Sequence, residues 1–247
     1  MKKLNQIFTL LLISIFLLGN NVMFAQTTKV EKKEQKEQKK DQQETKDELY
    51  KKAGKIARKE EKKLIKQGWQ TMGLPIAKQL EQTWMKMYET EPNGYPRYIW
   101  AQEMVTANTY AAAQSQADNI TKLRIASQIS SSIGALVDIA LANQEISAQE
   151  AASITKVVEN SKILVSQKLG RVFKTMEIFK IVDGNYQMRT TICYDMKAAI
   201  TIAKEIILEE LKNDSEVNKA QLEKIMGMDN LIDNVQKNQP TFDEVVE

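Results

Sequence analysis

The groups able to do acid–base chemistry in this chain of 247 residues are its carboxylates, because it contains no histidine and a single cysteine, Cys193. Without imidazole, Ser-His-Asp and Cys-His nucleophile pairs, His-ligated zinc or haem and imidazole proton shuttles are excluded. One thiol likewise excludes an intramolecular disulfide and a multi-thiolate cluster. A pair of carboxylates, as glycosidases use, is the enzymatic arrangement left. The candidate acids Glu103, Asp118, Asp138 and Asp195 are scattered, and no spacing pairs them. Ser130, Ser131 and Ser132 have no Ser-x-x-Lys partner to activate them and read as helix surface. No catalytic, cofactor-binding or metal-ligating residue is assigned, and no cofactor is expected. A non-enzymatic role is the expectation, with a carboxylate hydrolase as the lesser alternative.

Two other features could carry binding. All three tryptophans, Trp69, Trp84 and Trp100, fall in a short stretch that also holds Tyr98. Such a cluster is either a platform for a carbohydrate, peptide or small apolar ligand, or area buried against the domain that follows. Trp69, Trp84, Tyr98 and Trp100 are therefore the candidate binding surface. Cys193 lies on the more polar face of its strand, which leaves open a free exposed thiol, an intermolecular disulfide and a buried inert thiol.

The elements that must position these residues follow from periodicity. Leu74-Pro75 opens a helix with Leu80, Trp84 and Met87 on one face, and Glu91 to Pro96 is a turn on two prolines and Asn-Gly. Tyr98 to Val105 reads as a strand. From Thr106 a long helix carries Ile125, Ile129, Ile133, Leu136 and Ala140 as one buried stripe, after an upstream half of alanines that permits close approach. Ser147 and Glu150 form a capping box for a second helix, joined to the first by a short turn. Arg171 to Val182 and Tyr186 to Tyr194 flank Asp183-Gly184-Asn185 as a β-hairpin, and Met196 to Leu211 is a helix. The expected fold is α+β: a small three-stranded antiparallel or mixed sheet with long helices packed on one face, preceded by a charged N-terminal helix. Residues 213–247 read as a polar, mobile tail with one helical patch around Leu222 to Met226. Three strands leave two edges, so edge pairing or helix-face self-association, and hence a homo-oligomer, is expected.

The start of the chain gives an address. Lys2 and Lys3, the apolar run Ile7 to Leu18, and a polar stretch ending at Ala25 have the pattern of a secretory signal peptide, with Gln26 as the first mature residue. Residues 26–67 form a Lys/Glu/Gln arm, disordered or a solvated helix. From Lys29 to Gln67 it holds 15 Lys+Arg against 9 Asp+Glu, which suits a spacer or contact with an anionic envelope surface. Nucleic acid is not an expected partner, because no aromatics interleave the lysines and the signal directs the chain away from it. No stretch after the signal is expected to span a membrane. The domains expected are thus 1–25, 26–67, a Trp-containing helix and loop at 68–96, an α+β domain at 97–212, and the tail at 213–247.

The segment YIWAQEMVTANTYAAAQSQADNITKLRIASQI, with Ala113, Ala117, Asn119, Leu123 and Ala126, resembles a family of small bacterial surface lipoproteins, the Lpp-twenty-like group. The likeness covers about residues 97–211. The cysteine that carries the lipid in that family has no counterpart near residue 25. The segment Gly68 to Trp84 also looks like one found in secreted proteins, which implies no activity; the signal peptide, the charged arm and the missing catalytic constellations together point to a periplasmic, outer-membrane-associated or extracellular protein that binds an envelope protein or polymer.

Overall fold

Local signals set most element boundaries in the computed structural model, which describes residues 53–237 and Gln239. The signal-like segment, the arm up to residue 52 and the acidic end of the chain lie outside the described residues. The first described helix, α1, covers 53–66, and Pro75 stands at the N-cap of α2 (Ile76–Met87). β1 is Tyr98–Ala107. Thr109 caps the 33-residue α3 (Tyr110–Ala142), its hydroxyl accepting from the Ala112 amide. The Ser147–Glu150 capping box opens α4 (Ala148–Lys168) as expected. β2 (Phe173–Val182) and β3 (Asn185–Asp195) join through Asp183 and Gly184, at φ 48° and 76°. Positive φ at both positions is the type I′ geometry that matches strand twist. α5 (Met196–Glu210) follows, capped by Asp195.

The sheet order is β1-β3-β2, with both pairings antiparallel, so the fold is α+β as expected. Directly opposed residues share a face, which assigns every side chain. Ile99, Ala101, Met188, Ile192 and Phe179 point to one face, beneath α3; α4 and α5 complete the main core there around Ile125, Ile129, Ile154, Ile200 and Ile207. Ala113 and Ala117, fully buried, bring α3 close to the strands. The opposite face presents Trp100, Cys193, Met176 and Ile178, and is covered by α1 and α2 through Ala57, Leu64, Ile76, Leu80 and Trp84. The long helices thus lie on one face, and the two N-terminal helices close the other. In α1 the buried stripe is Ala57 and Leu64, while Ile56 points outward.

One expectation is corrected. The stretch after residue 212 is not a loose tail: α6 (Lys219–Ile225) and α7 (Met228–Lys237) bury Leu222, Ile225, Met226, Leu231, Ile232 and Val235 in the main core, with α7 against α3 and α5. Six apolar side chains on two short amphipathic turns find partners only in the folded unit, and the polar residues between them hide the pattern. α3, for its part, is long and apolar enough to cross a membrane by length and composition. In this fold it is the central core helix, with Asp118, Lys122 and Arg124 in its length.

Candidate functional site

Polar side chains converge where α3 crosses the sheet. Glu103, Thr190 and Glu177 are cross-strand neighbours in one row, on the face α3 covers. Glu177 is the hub. Its Oε1 accepts from the Tyr110 hydroxyl at 3.1 Å and from Gln114 Nε2 at 2.8 Å, and its Oε2 pairs with Lys174. Lys174 also pairs with Asp118 Oδ2 at 2.8 Å. The Glu177 amide donates to Gln79 Oε1 on α2 at 2.6 Å, so one residue ties both helical layers to β2. Burial alone would lower the Lys174 pKa, but its hydrogen bonds to Asp118 and Glu177, together with their charges, raise it. Burial, and then the Glu177 charge, pushes the Tyr110 phenol up.

The four acids singled out from sequence fall into two sets. Glu103 and Asp118 reach this interface, but each has its own cation: Glu103 Oε1 lies 2.6 Å from Arg124 Nε, and Asp118 holds Lys174. Asp138 is exposed on the outer side of α3, and Asp195 caps α5 by accepting from the Ala198 amide at 2.9 Å. Between Glu103 and Glu177 the row is filled by Thr190, which is wholly buried. The network ties helix to hairpin, and among the described residues each of these carboxylates is paired with a cation. Sequence reasoning passed over Lys174 and Glu177; their spacing of three within a β-rich run, which alternation alone does not explain, was the available signal.

The aromatic cluster is corrected. Trp69, Trp84, Tyr98 and Trp100 are between 3% and 5% exposed and form no surface platform. The apolar stripe of α2 needs a floor, and Met176 and Ile178 on β2 supply it; Trp100 and Tyr98 on β1 fill the rest, with the Tyr98 hydroxyl accepting from Lys86 at 2.8 Å. Cys193 is wholly buried in the same layer, 3.9 Å from Thr175 Oγ1, and burial pushes its thiol up to about 12. A neutral, buried thiol is closed to an intermolecular disulfide in the folded chain.

One part of this layer remains polar. The Lys180 ammonium lies 4.9 Å, and the Arg189 guanidinium 4.7 Å, from the Trp69 ring centre. Arg189 is half-buried on the central strand, beside a small cavity of about 20 Å³ lined by Glu60, Leu64, Trp84, Gln102 and Met176 among others. Burial lowers its pKa, and the Glu60 carboxylate partly offsets that.

The chain matches no protein-family model, no curated protein and no solved structure. Among the described residues no group of three or more Cys, Asp or Glu side chains is placed to hold a metal ion. The larger surface feature is a shallow groove of about 530 Å³ along the α3–α4 hairpin, floored by Leu141, Ala148, Ala151 and Ala152 and rimmed by Asp138, Lys156 and Glu159. Farther along α4, Ile163 is 62% exposed.

Proposed function

We propose that this protein is an exported, non-enzymatic module of the bacterial cell envelope that acts in binding or assembly, with an envelope protein or polymer as its partner. The observation that carries the reading is the outer side of the α3–α4 hairpin, where a groove floored by leucine and alanine lies open and Ile139, Leu141, Ile163 and Leu164 stay exposed. An open groove with apolar side chains on its floor is a surface that a partner can cover with gain. The secretory pattern of residues 1–25 and the basic arm behind it support the envelope address. The resemblance to surface lipoproteins over residues 97–211 agrees with it. Buried tryptophans give a small-ligand role no support, and ion-paired Glu103 and Asp118 give a hydrolase none.

Fractionation of the native cell tests the address and the arm together. The expected result is a processed chain that sediments with membranes, is released by high salt, and becomes soluble when residues 29–66 are deleted, as screening of an electrostatic tether requires. An unprocessed chain in the cytosol would overturn the reading. A processed chain that stays soluble at low salt would reduce the arm to a spacer.

A further inference from the structure

Lys180 and Arg189 sit on the α2-facing side of the sheet as diagonal neighbours, since Lys180 opposes Gln187 and Arg189 opposes Ile178. Both side chains turn onto the indole of Trp69, which is held over β2 by the antiparallel bridge between Gln70 and Phe179. Two cations drawn to one ring repel each other, and a π-face compensates only part of that. Neither has a hydrogen-bond acceptor or an ion pair among the described residues. The carboxylate that Arg189 senses, Glu60, is held by Lys63 at 2.7 Å. Gln102 lines the adjoining cavity; its Oε1 accepts from Thr191 at 3.0 Å, and its amide nitrogen makes no bond among the described residues. Among the described residues the half-buried Arg189 guanidinium on the central strand thus makes no hydrogen bond and is left to solvent and the Trp69 ring, and the group that would satisfy its fork is an oxyanion.

We infer that Lys180, Arg189 and Gln102, over the Trp69 ring, form a binding site for a phosphate group. A tetrahedral phosphate offers enough oxygens to meet a guanidinium fork, an ammonium and an amide from different directions, whereas a carboxylate has two. The cavity of about 20 Å³ beside Arg189 holds about one water, too little for a phosphate, so the phosphate lies at its mouth over the Trp69 ring and the rest of the ligand lies outside. The inference is independent of where the chain is located.

The test is a titration of the ¹⁵N-labelled full chain with inorganic phosphate, followed on the three tryptophan indole N–H resonances, with Trp69→Phe identifying its own. The Trp69 resonance is expected to shift and saturate while those of Trp84 and Trp100 hold still. R189Q and K180Q should each weaken the site about tenfold or more, the loss expected for one charge-assisted hydrogen bond, and K156Q, on the far helical hairpin, should not. R189K keeps the charge but loses the fork, and should fall between. A Trp69 resonance that phosphate leaves in place, or that acetate at equal ionic strength moves as far, overturns the assignment. So does equal binding by R189Q and K180Q in spectra that keep their dispersion. Sedimentation with phosphatidylglycerol against phosphatidylcholine vesicles then separates the sources. Binding lost in the K180Q/R189Q double variant makes the phosphate a lipid headgroup, and vesicle binding unchanged while the phosphate shift is lost makes it a soluble phosphate.

Discussion

At the scale of single residues, Glu150 does more than its sequence motif promises. Its Oε2 accepts from the Ser147 amide at 2.9 Å, closing the capping box, while its Oε1 accepts from the Asn218 amide at 3.1 Å at the head of α6. The backbone bonds from Ser147 and Asn218, and then the Ser147 hydroxyl, hold its carboxyl below the ordinary glutamate range. A depressed folded pKa stabilises the fold fully above the unfolded value of about 4.3 and ceases to do so as pH falls through the folded value. In acid unfolding, E150Q is expected to flatten the stability–pH slope below about pH 4.3 while keeping most stability at neutral pH, because an amide oxygen still accepts. Ser147→Ala should cost about 1 kcal/mol at neutral pH, the usual loss of an N-cap, and should flatten the slope less than E150Q, because the Ser147 and Asn218 amides still donate to Glu150. Denaturant melts at several pH values separate the two, and an E150Q slope identical to wild type would show that Glu150 is not the titrating group.

At the scale of elements, what was legible was what is local. The Ser147 box, the Asp183-Gly184 turn and the four-residue step of Ile125, Ile129 and Ile133 each specify their element within a few residues, and all appear where expected. The burial of Trp69 and the pairing of Lys174 with Asp118 depend on segments that are distant in sequence, and no local pattern encodes them. The same holds for α6 and α7. Gly227 interrupts them, and each is too short to be stable alone, so their apolar residues have meaning only against α3 and α5. A chain ending at residue 212 is therefore expected to lose far more than a disordered tail would take. Removal of six buried apolar side chains, each worth about 1.5–3 kcal/mol, is comparable with the total stability of an ordinary domain. Circular dichroism and a calorimetric melt of the truncated chain check this; an unchanged transition would mean that α6 and α7 dock without holding the core.

At the scale of the whole molecule, the two sheet edges are treated differently. β2 is covered: Gln70 exchanges both backbone bonds with Phe179, and Gln79 takes the outward Glu177 amide. On β1 the outward carbonyl of Trp100 is met by Gln128 and that of Tyr98 by Gln239, which shows that the even-numbered residues point away from β3. Beyond them the backbone of Gln102, Met104 and Thr106 bonds to nothing among the described residues. Proteins usually guard such an edge with lysine, proline or a bulge, yet β1 has none of these, and its one charge, Glu103, is neutralised by Arg124. Two copies meeting antiparallel about Met104, which is 51% exposed, would set Gln102 against Thr106 and extend three strands to six. Met104→Glu puts two like charges at the centre of that pair, where they oppose association, while within its own sheet it faces the cation Arg189, which it does not repel. The expected outcome is a concentration-dependent dimer for wild type and a folded monomer for M104E, read by light scattering and small-angle scattering. A wild-type monomer at all concentrations would overturn the self-association, and an M104E dimer would move it from the sheet edge to another face.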